Sequence, residues 1–345
     1  MFRMRAEAMS SAPYGNGHIH ETFLVEDRAK GRYILQKINS GVFRDVPGLM
    51  RNIRLVTDHL AGKDPDERHT LTLVKTWGDT DFLLKDGAYW RMYRFVEDSL
   101  CLDLPRSDRD FASSGRAFGM FQRKLHDFPV DSLREILPDF HHTPKRMMAL
   151  EKAVAEDPMG RKAKVKDEIA FALERRDDCG ELLERESRGL IAARVTHNDT
   201  KLNNVLLDIN SGEPLCVIDL DTVMPGLAAY DYGDSIRFGA STAREDERDI
   251  GKVSVSMERT KAFSEAYLDA CGEGLTPNEI RSLPTGARLM TFECGIRFLT
   301  DYLEGDRYFH TGYPEHNLIR CRTQFRLVSD MESKWNEMNA AVGCL

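Results

Sequence analysis

The stretch VTHNDTKLNNVLLDINSGEPLCVIDLDTV, residues 195–223, constrains this chain more than any other part of it. It sets His197, Asp199, Lys201 and Asn204 in the order H-x-D-x-K-x-x-N, and Asp219 closes a later apolar run. NVLLD and LCVIDLD, joined by the turn-forming INSGEP, read as a small hairpin. An H-x-D triplet alone arises by chance. The triplet with Lys and Asn at these spacings, then a hairpin, then an apolar run ending in Asp, is the order in which kinase-type phosphotransferases arrange catalytic loop and metal carboxylate.

The residue types suit that chemistry. Moving a γ-phosphoryl group requires an alcohol held in line with phosphorus and neutralisation of the phosphate oxygens. Asp199 is placed to orient the alcohol and accept its proton. Magnesium takes oxygen ligands and often only one or two from protein, which Asn204 and Asp219 supply. Lys201 offers a point charge to the γ-phosphate, and His197 buttresses the loop. The bland alternative makes Asp199 a turn former and Asp219 a strand-end carboxylate, which leaves their order after a β-rich segment unexplained.

That segment is the first hundred or so residues. TFLVED and RYILQKI read as neighbouring strands around the turn DRAKG, and FLLKDGAYWRMYRFV reads as a hairpin turning at Asp86-Gly87. Between them Leu49, Ile53, Val56 and Leu60 recur at helical spacing, with Gly62 as the expected stop. From Ser99 the pattern becomes helical: Phe111, Phe118, Phe121 and Leu125 share one face, 144–192 is charged and helical with breaks near 158–160 and Gly180, and 227–340 is again helical. The fold class expected is α+β, a protein-kinase-like two-lobe architecture. A small antiparallel sheet with nucleotide-binding function spans 1–98, and a larger helical lobe with catalytic loop and acceptor site spans 99–345.

Nucleotide contacts are expected in the first lobe. Gly15 and Gly17 fall in a turn before a strand, where glycine lets backbone approach phosphates; the G-x-G-x-x-G form is incomplete because His stands at 20. Lys37 lies on RYILQKI, where a kinase places its phosphate lysine. Residues 44–62 hold no Glu to pair with it, so Asp45, Asn52 or Asp58 is expected to substitute. The connector FVEDS is expected to meet adenine through backbone around Phe95, Val96 and Glu97.

Composition excludes several classes. No run approaches the roughly 20 apolar residues of a membrane helix, and the start lacks a signal-peptide core. A net charge of −8 disfavours a nucleic-acid partner. Seven scattered cysteines without a CxxC suit free thiols in a reducing cytoplasm. There is no GxxxxGK[ST], HExxH or GxSxG, and the adjacent His141-His142 lacks helical metal-ligand spacing.

The strings YGNGHIHETFLV, YILQKIN, HNDTKLNNVLLD, VIDLDTVMPGLAAYDYGDSIRFGA and GIRFLTDYLEGDRYF, which span most of the chain, resemble the aminoglycoside phosphotransferase-like superfamily. Within it they resemble the N-acetylhexosamine 1-kinases. The resemblance implies ATP and magnesium, and transfer to the anomeric hydroxyl of GlcNAc or GalNAc. It implies a sugar site formed by His18, Glu21, Asp199, Arg297 and Tyr308, with Asp231 bracing the catalytic loop. Relatives of this kind carry a longer segment before PYGNGH, so the early strand of the first-lobe sheet is expected to be missing or ragged. A small-molecule sugar is the expected partner, and a monomer or weak homo-oligomer the expected state. The competing readings keep the fold: another acceptor (homoserine, choline or an aminoglycoside, to which the acidic 244–249 stretch would contribute), or a nucleotide-binding pseudokinase.

Overall fold

The computed structural model describes residues 1–15 and 19–344. Its first part is a five-stranded antiparallel sheet in the order β1-β2-β3-β5-β4. These strands are β1 (Ala8–Pro13), β2 (Glu21–Asp27), β3 (Arg32–Ile38), β4 (Leu83–Lys85) and β5 (Ala88–Arg94), with helix α1 (Val46–Lys63) crossing between β3 and β4. The early strand expected to be missing or ragged is present. β1 pairs with β2 from Pro13 opposite Phe23 to Ala8 opposite Asp27, with one irregularity between Ala8 and Ser10. Asp86 and Gly87 both take positive φ, 51° and 76°, the type I′ geometry that matches the twist of hairpin strands.

Alternation along β3 decides what each face of the sheet does. Tyr33 and Leu35 pack with Val25, Met92, Phe2 and Val74 on the outer face. Ile34 and Ile38 pack with Val46, Leu49, Ile53 and Val56 of α1 on the inner face. Helix α1 starts at an Asp45 cap, whose Oδ1 accepts the Gly48 N–H at 2.9 Å. It passes the expected stop at Gly62 and ends at Lys63. Each apolar side chain it buries contributes about 1.5–3 kcal/mol of transfer free energy. The same core continues through Phe121, Leu125, Val223 and Met224, so α1 is shared between the sheet and the following helical part.

That part comprises β6 (Ser99–Cys101), α2 (Asp108–Lys124), α3 (Thr143–Glu156), α4 (Lys166–Glu174), α5 (Glu181–Ser187), β7 (Arg194–Thr196), β8 (Val205–Asp208), β9 (Pro214–Val217), β10 (Met224–Gly226), α6 (Ala228–Gly239), α7 (Met257–Cys271), α8 (Pro277–Glu304), α9 (His316–Ser333) and α10 (Trp335–Ala341). β8 and β9 form the expected hairpin, joined by β6 at one edge, and β7 pairs with β10. Helix α8 begins with a Thr276–Glu279 capping box and ends at Gly305, φ 99°. Helices α6 and α8 touch at glycine: a Cβ on Gly286 would lie 2.0 Å from the Ala229 carbonyl oxygen, and one on Gly233 would lie 2.3 Å from the Gly286 carbonyl oxygen. The architecture is thus a kinase-like fold, an antiparallel-sheet lobe beside a mainly helical one. No helix among the described residues is long and apolar enough to cross a membrane, and all seven cysteines are free thiols.

Candidate active site

The loop after β7 is built by hydrogen bonds to α6. At the first turn of that helix, buried Asp231 accepts the backbone N–H of His197 at 2.9 Å and of Asn198 at 2.8 Å. Gln122 on α2 donates to the same carboxylate at 3.1 Å. One turn on, Asp234 accepts the Thr200 N–H at 3.0 Å, and the Ser235 hydroxyl donates to the Thr200 carbonyl at 2.9 Å. Asn198 sits in the left-handed region, φ 64°, and its amide donates to the Thr222 carbonyl at 2.8 Å. Only Gly, Asn and Asp tolerate that conformation readily.

His197 is fully buried. Its Nε2 donates to the Ile218 carbonyl at 2.8 Å, leaving Nδ1 to accept the Asp199 N–H at 3.3 Å. The neutral tautomer is thereby fixed, and the ring joins the strand before Asp219 to the residue before Thr200. This is a buttress.

Asp199 is half-buried and close enough to Asp219 for their charges to interact. Lys201 Nζ lies 2.8 Å from its Oδ1, and Asn204 Nδ2 donates to its Oδ2 at 3.0 Å and to its carbonyl at 2.7 Å. Crowding by protein pushes the carboxyl up, but the Lys201 charge and these hydrogen bonds prevail and hold it below the usual carboxylate range. It is an ionised acceptor ready to take a proton. The same pair raises the Lys201 ammonium above its ordinary value.

Asp219 is exposed, on a left-handed backbone of φ 58° and ψ 56°. The protein mass around it, then Asp221 and Asp199, push its carboxyl up to about 6; water at this exposed position screens part of that repulsion. Among the described residues, no side-chain cation lies within ion-pair distance of it. A carboxylate in that setting gains most from an added cation. No cluster of three or more His, Cys, Asp or Glu that could hold a metal occurs among the described residues. A carboxylate plus an amide oxygen fits an ion that completes its shell with phosphate and water.

The expected nucleotide residues divide. Gly15 has φ +76°, a conformation that favours glycine, whereas Gly17 lies outside the described residues. Arg32 pairs with Glu97 and lies 4.3 Å from the Phe95 ring, and Val96 is buried with its carbonyl accepting the Ser99 hydroxyl. The Phe95 N–H is used by the Arg32 carbonyl. Lys37 is not brought to Asp199 or Asp219. It points to the outer face, half-exposed, with Nζ 2.6 Å from Glu21 Oε1. The inward position is Gln36, whose Oε1 accepts from Arg91 Nε at 2.8 Å. None of the three substitutes for a helix Glu does that work: Asp45 caps α1 and pairs with Arg134, Asp58 pairs with Arg54, and Asn52 clamps the Arg134 backbone and the Val223 carbonyl.

The expected sugar residues divide similarly. His18 lies outside the described residues, and Glu21 is engaged with Lys37 on the outer face. Arg297 is half-buried on α8 among rings, 5.9 Å from Phe140, 5.8 Å from Tyr308 and 5.4 Å from Phe309. Tyr308 is 71% exposed, free to meet a ligand. One turn before Arg297, buried Glu293 accepts from His141 at 3.0 Å and from Thr143 at 2.7 Å, and His141 Nε2 reaches the Asn198 carbonyl at 3.3 Å. Three of the four acids in the 244–249 stretch are already paired: Glu245 with Arg237 and Arg320, Asp246 with His316 and Arg244, and Asp249 with Lys252.

Sequence reasoning missed His20, Arg91 and Asp221, which form one buried group, and the His141–Glu293 link. The available signals were faint: a second Asp two positions beyond Asp219, and an arginine inside the stripe Tyr89, Arg91, Tyr93 that the hairpin turns inward.

The family model described as APH, a phosphotransferase enzyme family, matches residues 11–263. Among solved structures the chain is similar to spectinomycin phosphotransferase APH(9)-Ia, at TM-score 0.61 and 14% identity, covering 96% of this chain and 94% of that one. It is also similar to a microcompartment-associated aminopropanol kinase, at TM-score 0.57, 17% identity and 97% and 95% coverage. A third is the choline kinase LicA of Streptococcus pneumoniae, at TM-score 0.55, 12% identity and 95% and 94% coverage.

Proposed function

Because the chain belongs to the APH family of phosphotransferase enzymes, we propose that it transfers the γ-phosphoryl group of ATP to the C1 hydroxyl of an N-acetylhexosamine, GlcNAc or GalNAc. The observation that carries the kinase reading is the ionised Asp199 held between Lys201 and Asn204, with Asp219 close enough for the two charges to interact. Residues 1–98 serve as the nucleotide lobe and 99–345 carry the acceptor. Asp199 orients the hydroxyl and takes its proton as the oxygen attacks γ-phosphorus and the bond to the β,γ-bridging oxygen breaks. Lys201, beside that carboxylate, offsets charge on the transferring group. Asn204 and Asp219 would hold magnesium, Asn204 through the amide oxygen its engaged Nδ2 leaves over. The ion supplies charge neutralisation on the phosphate oxygens.

The acceptor reading rests on the resemblance of HNDTKLNN and IDLDTVMPG, supported by charge. A cationic acceptor calls for free carboxylates. Here Glu21, Glu245, Asp246 and Glu293 already have basic or hydrogen-bonding partners, while Arg297 stands in an aromatic frame with no carboxylate in ion-pair reach among the described residues. Arginine and aromatic rings suit a neutral hydroxylated ring carrying an amide. The free thiols support a cytoplasmic setting. The test is ADP release with Mg-ATP across GlcNAc, GalNAc, glucose, galactose, homoserine, choline and kanamycin. Release strongest with the acetamido sugars, with a 1-phosphate product, is expected; release only with a cationic acceptor overturns the sugar and keeps the kinase.

A further inference from the structure

Arg91 of β5 is among the most deeply buried side chains of the protein, 1% exposed. Its Nη1 and Nη2 both donate to Asp221, the latter at 2.8 Å, and its Nε donates to Gln36 of β3 at 2.8 Å. All three guanidinium nitrogens of Arg91 are thus engaged by protein. Asp221 lies two residues beyond Asp219, in the short 3-10 turn Leu220–Thr222. Its second partner is His20, just before β2. The His20 Nδ1 accepts the Asn39 N–H at 3.0 Å, so the ring proton sits on Nε2 and is donated to Asp221 Oδ2. The ring packs 5.5 Å from Phe43.

Stability alone does not account for this group. Removing an arginine, a carboxylate and a histidine from water costs several kcal/mol per ion, and apolar residues of like volume often serve a core as well. Placement explains it better. Asp219 takes a left-handed backbone, φ 58° and ψ 56°, which an Asp tolerates as a single residue, and its two flanks are fixed. It is bracketed on one side by Ile218, whose carbonyl is held by His197, and on the other by Asp221, held by the sheet. The second bracket comes from two strands and from the segment that follows the glycine turn.

We propose that Arg91 and His20 are positioning residues for phosphoryl transfer: through Asp221 they lock the Asp219 loop to the sheet, taking the part that a lysine–helix-glutamate pair plays in protein kinases. The proposal rests on the reading that Asp219 serves the metal and the phosphates. Lys37 faces outward and α1 offers no Glu, so the lobes need another polar joint at this level. Arg91–Asp221–His20 is that joint.

The test uses the full chain with its best sugar acceptor and the variants His20→Ala, His20→Gln, Arg91→Lys and Asp219→Asn, each checked for folding by circular dichroism. His20→Ala is expected to raise the magnesium concentration for half-maximal rate and the KM for ATP by about 10- to 100-fold, the range for outer-shell partners of a metal ligand, with acceptor KM unchanged. His20→Gln, which still offers an acceptor to Asn39 and a donor to Asp221, restores most of the loss. Arg91→Lys keeps the charge but loses the two-pronged contact and falls between. Folded His20→Ala and Arg91→Lys with wild-type magnesium and ATP dependence, beside an inactive Asp219→Asn, overturn the positioning role alone. A fully active Asp219→Asn overturns the underlying reading of the site instead.

Discussion

Lys201 holds its ammonium 2.8 Å from the Asp199 carboxylate, inside the same short loop. The pair keeps the acid ionised and the base protonated, the two states needed when a hydroxyl proton leaves and negative charge develops on a phosphoryl group.

Asp199→Asn keeps the shape and the Asn204 contact but cannot accept a proton. Turnover is expected to fall by about 10²–10⁴-fold, the usual worth of a positioned general base. Nucleotide affinity should stay near wild type. Steady-state rates and equilibrium nucleotide binding check it; wild-type rates remove Asp199 from that role.

Chelation of divalent cations should abolish ADP release and added magnesium should restore it. Asp219→Ala should lose turnover even at saturating magnesium, because the remaining Asn204 amide is a single weak ligand. A magnesium titration of both proteins is the measurement.

Lys37→Ala should leave the KM for ATP within about twofold, since an exposed ion pair of this kind contributes about 0–1 kcal/mol. The lysine meets Glu21 on the outer face of the sheet. A large rise in the ATP KM alone would place Lys37 on the phosphates after all.

Glu293 gives a pH signature. Burial pushes its carboxyl up, but His141, Arg297 and Thr143 prevail and hold it below the ordinary 4.5. A depressed acid contributes stability above its unfolded pKa and loses it as pH falls through the folded value. Glu293→Gln should therefore cost about 1–3 kcal/mol at pH 7, with the gap closing below about pH 4.5 as the wild-type acid protonates. Thermal unfolding of both proteins across that range checks the sign.

Gly286→Ala should destabilise the fold by about 1–3 kcal/mol, the cost of overpacking, because its Cβ would meet the Ala229 backbone. Helix α6 carries Asp231 and Asp234, so the same substitution should lower kcat more than either KM. Denaturant unfolding and steady-state kinetics separate the two effects.

The loop of residues 197–204 stood out as a candidate because phosphoryl-transfer chemistry ties fixed residue types to fixed spacings, and α1 and the Asp86-Gly87 hairpin were legible because period and turn residues agree. The side of the sheet that Lys37 takes was not legible, for a definable reason. In RYILQKI both alternating stripes are partly apolar, Tyr33 and Leu35 on one and Ile34 and Ile38 on the other, so the pattern does not say which faces inward. Strand β1 is AMSSAP, exposed throughout, and an exposed edge strand of mostly small residues without apolar–polar alternation has no periodic signature. Arg91 reads as a solvent-side residue until its partner 130 positions later is known.

Helix α1 is pinned from three directions: the sheet, the Phe121–Leu125 end of α2, and Asn52 bonded to the backbone at Arg134 and Val223. Where protein kinases are switched by swinging the corresponding helix, this one is tied to both parts of the fold at once. Any tilt of α1 would have to break the sheet packing, the α2 packing and the Asn52 clamp together.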